Sequence, residues 1–144
     1  MSDKSRIQDW GLLAIIEMGL GGLKDTQSIV SAKLPGALPE DGHFPSKEQI
    51  ATYFSALYVE IAELQQEFNW KPWKNIFINR QHMAEEFADV LAFLGLIMVY
   101  LDKYGVTPQQ LAEAYIKKSL KNLDRMAGKS GEKGYGEHGT DSSN

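Results

Sequence analysis

The sequence predicts an all-α fold, a helical bundle of four to five helices. Three observations carry this. Apolar residues recur at intervals of three and four over successive long segments. No stretch of any length alternates apolar and polar residues as a half-buried strand would. Helix start and stop signals bracket the segments: Ser46 with Gln49, Thr107 with Pro108, and Gly105.

Residues 5–20 place Ile7, Trp10, Leu12, Leu13, Ile15, Ile16 and Leu20 at loosely helical spacing. Gly11, Gly19, Gly21 and Gly22 weaken this helix and predict a break near residues 19–22. Residues 23–34 resume the pattern through Leu23, Ile29, Val30 and Leu34. Three prolines and two glycines in residues 35–45 impose a loop. Ser46-Lys47-Glu48-Gln49 is a capping box that opens a helix to about Phe68. Ile50, Phe54, Leu57, Ile61 and Leu64 form its core stripe, with Glu60, Glu63 and Glu67 on the neighbouring one.

Residues 69–79 are a connector rich in aromatics and Lys, in which Pro72 forbids a continuous helix. The next helix runs from about 80 to 104 and contains a twelve-residue apolar run, 90–101. That run is too short to cross a bilayer and fits a helix buried on all sides. Gly105 is a stop of the left-handed type. Thr107, Pro108 and Gln110 then suit the N-cap, first and third positions of a last helix, which carries Leu111, Tyr115, Leu120 and Leu123 and ends near Met126. Residues 127–144 hold five glycines among polar residues and read as a flexible tail. The expected organisation is one domain over 1–126 followed by that tail, and 144 residues suit a single small core.

Hydrophobic content of 43% and charged content of 24% are those of an ordinary globular chain. A net charge of −4 gives no footprint for a nucleic-acid polymer or an anionic membrane. Zero Cys excludes disulfides, zinc–thiolate sites and Cys nucleophiles, and fits a reducing compartment. The first ten residues lack an apolar core of signal-peptide length, so the expected location is cytoplasmic.

Candidate chemistry concentrates in two carboxylate pairs, Glu60-x-x-Glu63 and Glu86-x-x-Asp89. Each pair shares one helix face, where like charges repel by roughly a few tenths of a kcal/mol. The second pair directly precedes the apolar run, so it belongs to a buried helix. Bringing both pairs together needs a cation or a proton. An all-oxygen donor set with no Cys selects a hard ion, Mg²⁺ or Mn²⁺. A di-iron bundle is the rival metal reading, but it uses Glu-x-x-His, and neither Glu60 nor Glu86 has His three residues on. His82 and His43 carry no role in this reading. A helical module whose acidic face binds a basic partner is the competing non-enzymatic class.

The quartet, with its gap of 22 residues, resembles the metal signature of the all-α nucleoside triphosphate pyrophosphohydrolases, the MazG-like proteins and the dimeric dUTPases. Phe68-x-x-Lys71-x-Trp73-Lys74 is similar to the Phe-Lys-x-Trp segment of dimeric dUTPases, with small spacing differences. Lys118-x-x-Lys121-Asn122-x-x-Arg125, with Gly134-Tyr135 beyond, resembles their phosphate-contacting end. Gln27 matches a base-contacting Gln. The resemblance covers roughly residues 23–135. It departs at two positions: Ala92 stands where those dUTPases carry His, and Val30 where they carry Asn. Both of those residues help the family read uracil. The length is closer to that of MazG-like phage or bacterial enzymes, some of which take purine substrates including dGTP.

The resemblance implies hydrolysis of a (deoxy)nucleoside triphosphate to the monophosphate and pyrophosphate, on two or three Mg²⁺ ions held by Glu60, Glu63, Glu86 and Asp89. Mn²⁺ is expected to substitute. Glu63 or Glu67 is the candidate acceptor of the water's proton. Lys71, Lys74, Lys118, Asn122 and Arg125 are the candidate phosphate contacts. Trp70 or Trp73 is a candidate to stack on the base, with core packing as the alternative role of each, and Gln27 is a further candidate base contact. The replaced uracil readers favour a purine dNTP such as dGTP, with dUTP or dCTP as the alternative. The fully apolar helix face at 90–101 exceeds what one small bundle covers, so a homodimer or homotetramer is expected.

Overall fold

The computed structural model describes residues 2–128. Among the described residues there are five α-helices and no strand, as the periodicity predicts. They are α1 (Asp3–Ile7), α2 (Trp10–Ser31), α3 (Lys47–Gln66), α4 (Arg80–Lys103) and α5 (Pro108–Met126). The tail expected from residue 127 lies outside the described residues from 129 onward, and Gly134-Tyr135 lies there with it. No helix of the described residues is long and apolar enough to cross a membrane. The chain forms two compact units, Met18–Pro108 and the described residues of Met1–Glu17 with Gln109–Asn144.

In the Met18–Pro108 unit, α3 and α4 pack along each other. They run antiparallel: Tyr53 near the start of α3 meets Phe93 and Tyr100, and Glu67 at its end meets His82 near the start of α4. Local capping signals are seen at both starts and at the end of α4. Ser46 Oγ accepts from the Gln49 amide at 3.0 Å and Gln49 Oε1 accepts from the Ser46 amide at 2.8 Å, the expected capping box. Asn79 Oδ1 accepts from the Gln81 and His82 amides to open α4. Gly105, at φ 78°, closes it in the left-handed region that a side chain resists.

The buried apolar side chains of this unit include Leu57 of α3, Val90, Leu96, Met98, Val99 and Tyr100 of α4, and Ala37 of the proline-rich loop. Each large side chain so buried contributes about 1.5–3 kcal/mol. Tyr100 donates its hydroxyl to the Ala37 carbonyl at 2.7 Å. Burial, and behind it the neighbouring Tyr53, pushes the Tyr100 phenol up to about 12. Phe44 of the same loop stacks on Tyr104 at 4.7 Å. The predicted α3 stripe is wider than the core it serves: Leu57 is buried, Phe54 and Leu64 are half-buried, and Ile50 and Ile61 stay exposed.

The predicted break at residues 19–22 is absent. α2 runs unbroken through Gly19, Gly21 and Gly22, none of which has positive φ. Glycine weakens a helix without forbidding it; here Leu20 and Leu23 hold the segment through their half-buried side chains. The chain breaks instead at Gln8 and Asp9, where Asp9 Oδ1 accepts from the Gly11 amide at 2.8 Å and its carbonyl accepts from Leu13 at 3.1 Å. A Cβ at Gly22 would meet nothing within 4 Å. Gly22→Ala is therefore expected to stabilise the fold by about 0.5–1 kcal/mol. Urea unfolding reads this, and a destabilised variant would contradict helical geometry at that position.

The smaller unit holds α1, the start of α2 and α5 from Gln109. Ser2 caps α1, and Lys4 Nζ lies 3.2 Å from Asp124 on α5. Ile7, Trp10, Leu13, Ile116 and Leu120 line an apolar groove between these helices.

Candidate metal centre

Glu60 and Glu63 share the inner edge of α3 because three residues make just under a turn. Glu86 meets them from α4 through the antiparallel pairing. One oxygen from each of the three lies within 4.8 Å of the others. Glu60 and Glu86 are half-buried and Glu63 is exposed, so the cluster opens to solvent on one side. Burial holds the Glu60 carboxyl above its usual range, and the negative charges of Glu63, Asp89 and Glu86 raise it further, in that order. Asp89 is therefore near enough to act on Glu60 through its charge, although it stands outside the three-oxygen cluster.

Three hard oxygen donors on two rigid helices, mutually repelling and partly desolvated, are a donor set that fits Mg²⁺ or Mn²⁺. Asp89, one turn beyond Glu86 on α4, is the next carboxylate available to such an ion.

Glu67, the C-cap of α3, lies one turn beyond Glu63. Its Oε2 lies 2.9 Å from His82 Nδ1, and His82 Nε2 lies 3.2 Å from Glu86 Oε1. The Glu67 hydrogen bond and charge raise the His82 pKa, with smaller contributions from Glu86 and Glu85. Sequence reasoning assigned His82 nothing. The i, i+4 spacing from His82 to Glu86 was visible, but its second partner lies across the helix pair.

The connector 67–79 places Lys71 and Lys74 in a small cleft with Gln66, Phe68, Trp70 and Ile76. Lys71 Nζ sits 5.1 Å from the Trp70 ring centroid, a cation–π distance. Asn69 Oδ1 accepts from the Ile76 amide at 2.6 Å and closes the connector on itself. Trp70 is 45% and Trp73 77% exposed, so neither is spent on the core.

Gln27 of α2 lies over Gly95 of α4, where an added Cβ would stand 2.6 Å from Gln27 Cγ. Gly95 is six residues beyond Asp89, about 9 Å along the helix axis. Lys118, Asn122 and Arg125 lie at helical spacing on α5, which belongs to the other compact unit. Lys118 and Asn122 are exposed there and Arg125 is half-buried.

A family model described as dUTPase matches residues 32–106, which holds α3, the connector, α4 and all four quartet carboxylates. No curated protein and no solved structure matches the chain.

Proposed function

Because the chain belongs to the dUTPase family, we propose that it is a Mg²⁺-dependent nucleoside triphosphate pyrophosphohydrolase that releases pyrophosphate and a nucleoside monophosphate. The observation that carries this reading is the convergence of Glu60, Glu63 and Glu86 within 4.8 Å inside the matched segment. These three, with Asp89, would hold the ions. When bound, Mg²⁺ neutralises the triphosphate and lowers the pKa of an attacking water.

The chain's own residues divide the rest of the work. Glu63, exposed at the rim of the cluster, takes the water's proton; Glu67, turned towards His82, is the second candidate. Lys71 and Lys74 contact phosphate oxygens from the connector, and Lys118, Asn122 and Arg125 are the proposed contacts from α5. Trp70 or Trp73 stacks on the base, a contact worth about 1–3 kcal/mol in nucleic-acid binders. Gln27 contributes hydrogen bonds to the base edge.

For the base we favour a purine deoxynucleotide such as dGTP, because Val30 and Ala92 cannot make the polar contacts of the Asn and His they replace. The family match favours dUTP, and dCTP is the related pyrimidine reading. Pyrophosphate release across eight (d)NTPs plus dUTP decides between them. Turnover is expected only with Mg²⁺ or Mn²⁺, and hydrolysis that survives EDTA contradicts the proposal. An acidic module that binds a basic protein predicts no thermal shift with Mg²⁺ and a non-hydrolysable dNTP, whereas a site for that pair raises the melting temperature.

The active form we propose is a homodimer or homotetramer. Tyr58, Val59 and Ile61 of α3 and Phe87 and Leu94 of α4 leave apolar surface uncovered in one chain. A monomer by light scattering at micromolar concentration would refute this.

A further inference from the structure

We propose that His82 is the positioning residue of the metal centre: by bridging Glu67 and Glu86 across the α3–α4 pair, it holds Glu86 in the arrangement that receives the cation. This rests on the metal-centre reading above and adds a residue which that reading does not use.

The geometry is specific. His82 occupies the first turn of α4, where its backbone amide already donates to Asn79 Oδ1. The ring reaches across to the C-cap of α3 through Nδ1 and down its own helix through Nε2. Glu85, the third carboxylate near the ring, accepts instead from Gln81 Nε2 at 3.0 Å. Both carboxylates on His82 are largely covered, with side chains 19% exposed at Glu67 and 17% at Glu86.

A carboxylate has two oxygens. Contact between Oε1 and His82 fixes the rotation of the Glu86 side chain and leaves its second oxygen for an ion. Without that contact, Glu86 is free to swing away from the like charges of Glu60 and Glu63. Hydrogen-bond partners that orient metal ligands in this way affect metal affinity strongly. Direct ligation by His82 would require one ring nitrogen to leave its carboxylate.

The test uses the full chain with Mn²⁺ as the probe, its affinity read from the free-ion electron paramagnetic resonance signal. Wild type is expected to bind, and His82→Ala to bind about 10- to 100-fold more weakly. His82→Gln, which keeps one N–H donor group, is expected to recover part of the loss. His43→Ala, which alters a ring whose Nδ1 lies 3.1 Å from the Asp41 carbonyl oxygen, is expected to match wild type. In turnover, the His82→Ala deficit is expected in the Mn²⁺ concentration for half-maximal rate, with kcat at saturating metal largely kept.

Electron spin echo of the wild-type complex is expected to show no directly bound nitrogen. Equal affinity in His82→Ala and wild type overturns the inference, and so does a nitrogen ligand. His82→Gln lying no closer to wild type than His82→Ala overturns it as well. If His82→Ala fails to fold, His82→Gln alone carries the test: affinity reduced below wild type supports the inference, and full wild-type affinity without the ring overturns it. Absence of Mn²⁺ binding by wild type overturns the metal centre itself and this inference with it, an outcome distinct from every other.

Discussion

Glu63→Gln is expected to lower turnover by about 10²- to 10⁴-fold, the range for losing a positioned proton acceptor, with helicity unchanged. Glu63 is exposed and contributes no core packing, so its replacement creates no cavity. It shares a hydrogen bond with Glu60 and adds to the repulsion that raises the Glu60 pKa. A neutral amide at 63 can donate to Glu60 and relieves that repulsion. The variant should therefore melt no lower than wild type without metal, and gain less from added Mg²⁺ because one charged donor is missing. Steady-state pyrophosphate release and melting with and without Mg²⁺ separate the two effects. Full activity in a folded Glu63→Gln protein would remove Glu63 from the chemistry and shift the role to Glu67.

Gly95→Ala is expected to destabilise the fold by about 1–3 kcal/mol, the usual cost of overpacking a tight contact. The new Cβ would lie 2.6 Å from Gln27 Cγ and 2.8 Å from the Leu23 carbonyl oxygen. The first clash can relax by a rotamer change. The second is with backbone, so α2 must move away from α4. Urea unfolding of Gly95→Ala beside Gly22→Ala should therefore give shifts of opposite sign for the same chemical change. If Gln27 reads the base, Gly95→Ala should also blur discrimination among the dNTPs, and Gln27→Ala should do so with far less loss of stability. Wild-type stability in Gly95→Ala would contradict the close crossing of the two helices.

Much of this was legible in the linear chain because it depends on near neighbours. The capping box at Ser46, the stop at Gly105 and the shared face of Glu60 and Glu63 follow from spacings of four residues or fewer, where helix geometry decides who meets whom, whereas Glu86 reaches that face only through the pairing of α3 with α4. The continuity of α2 was not legible. Intrinsic propensity counted Gly19, Gly21 and Gly22 against a helix, and half-buried Leu20 and Leu23 outweighed it. His82 was missed because one of its two partners belongs to another helix, and only the antiparallel register brings Glu67 to it. Burial of the tryptophans at 70 and 73 was not legible on sequence alone, because it depends on how the connector lies against the helices; both rings are exposed.

The hydrogen bond from Tyr100 to Ala37 joins residues 63 apart in the chain. It therefore forms only after α4 has docked, and closing so long a loop is entropically expensive during folding. Once made, with Phe44 stacked on Tyr104, it ties the proline-rich segment to the most buried part of α4. A protease is then expected to meet a stretch held at Ala37 and at Phe44, with Glu40, Asp41, Gly42 and His43 exposed between the two ties. Nicking beside Ala37 is expected to follow the opening of the core, and nicking at the exposed residues the mobility of the loop.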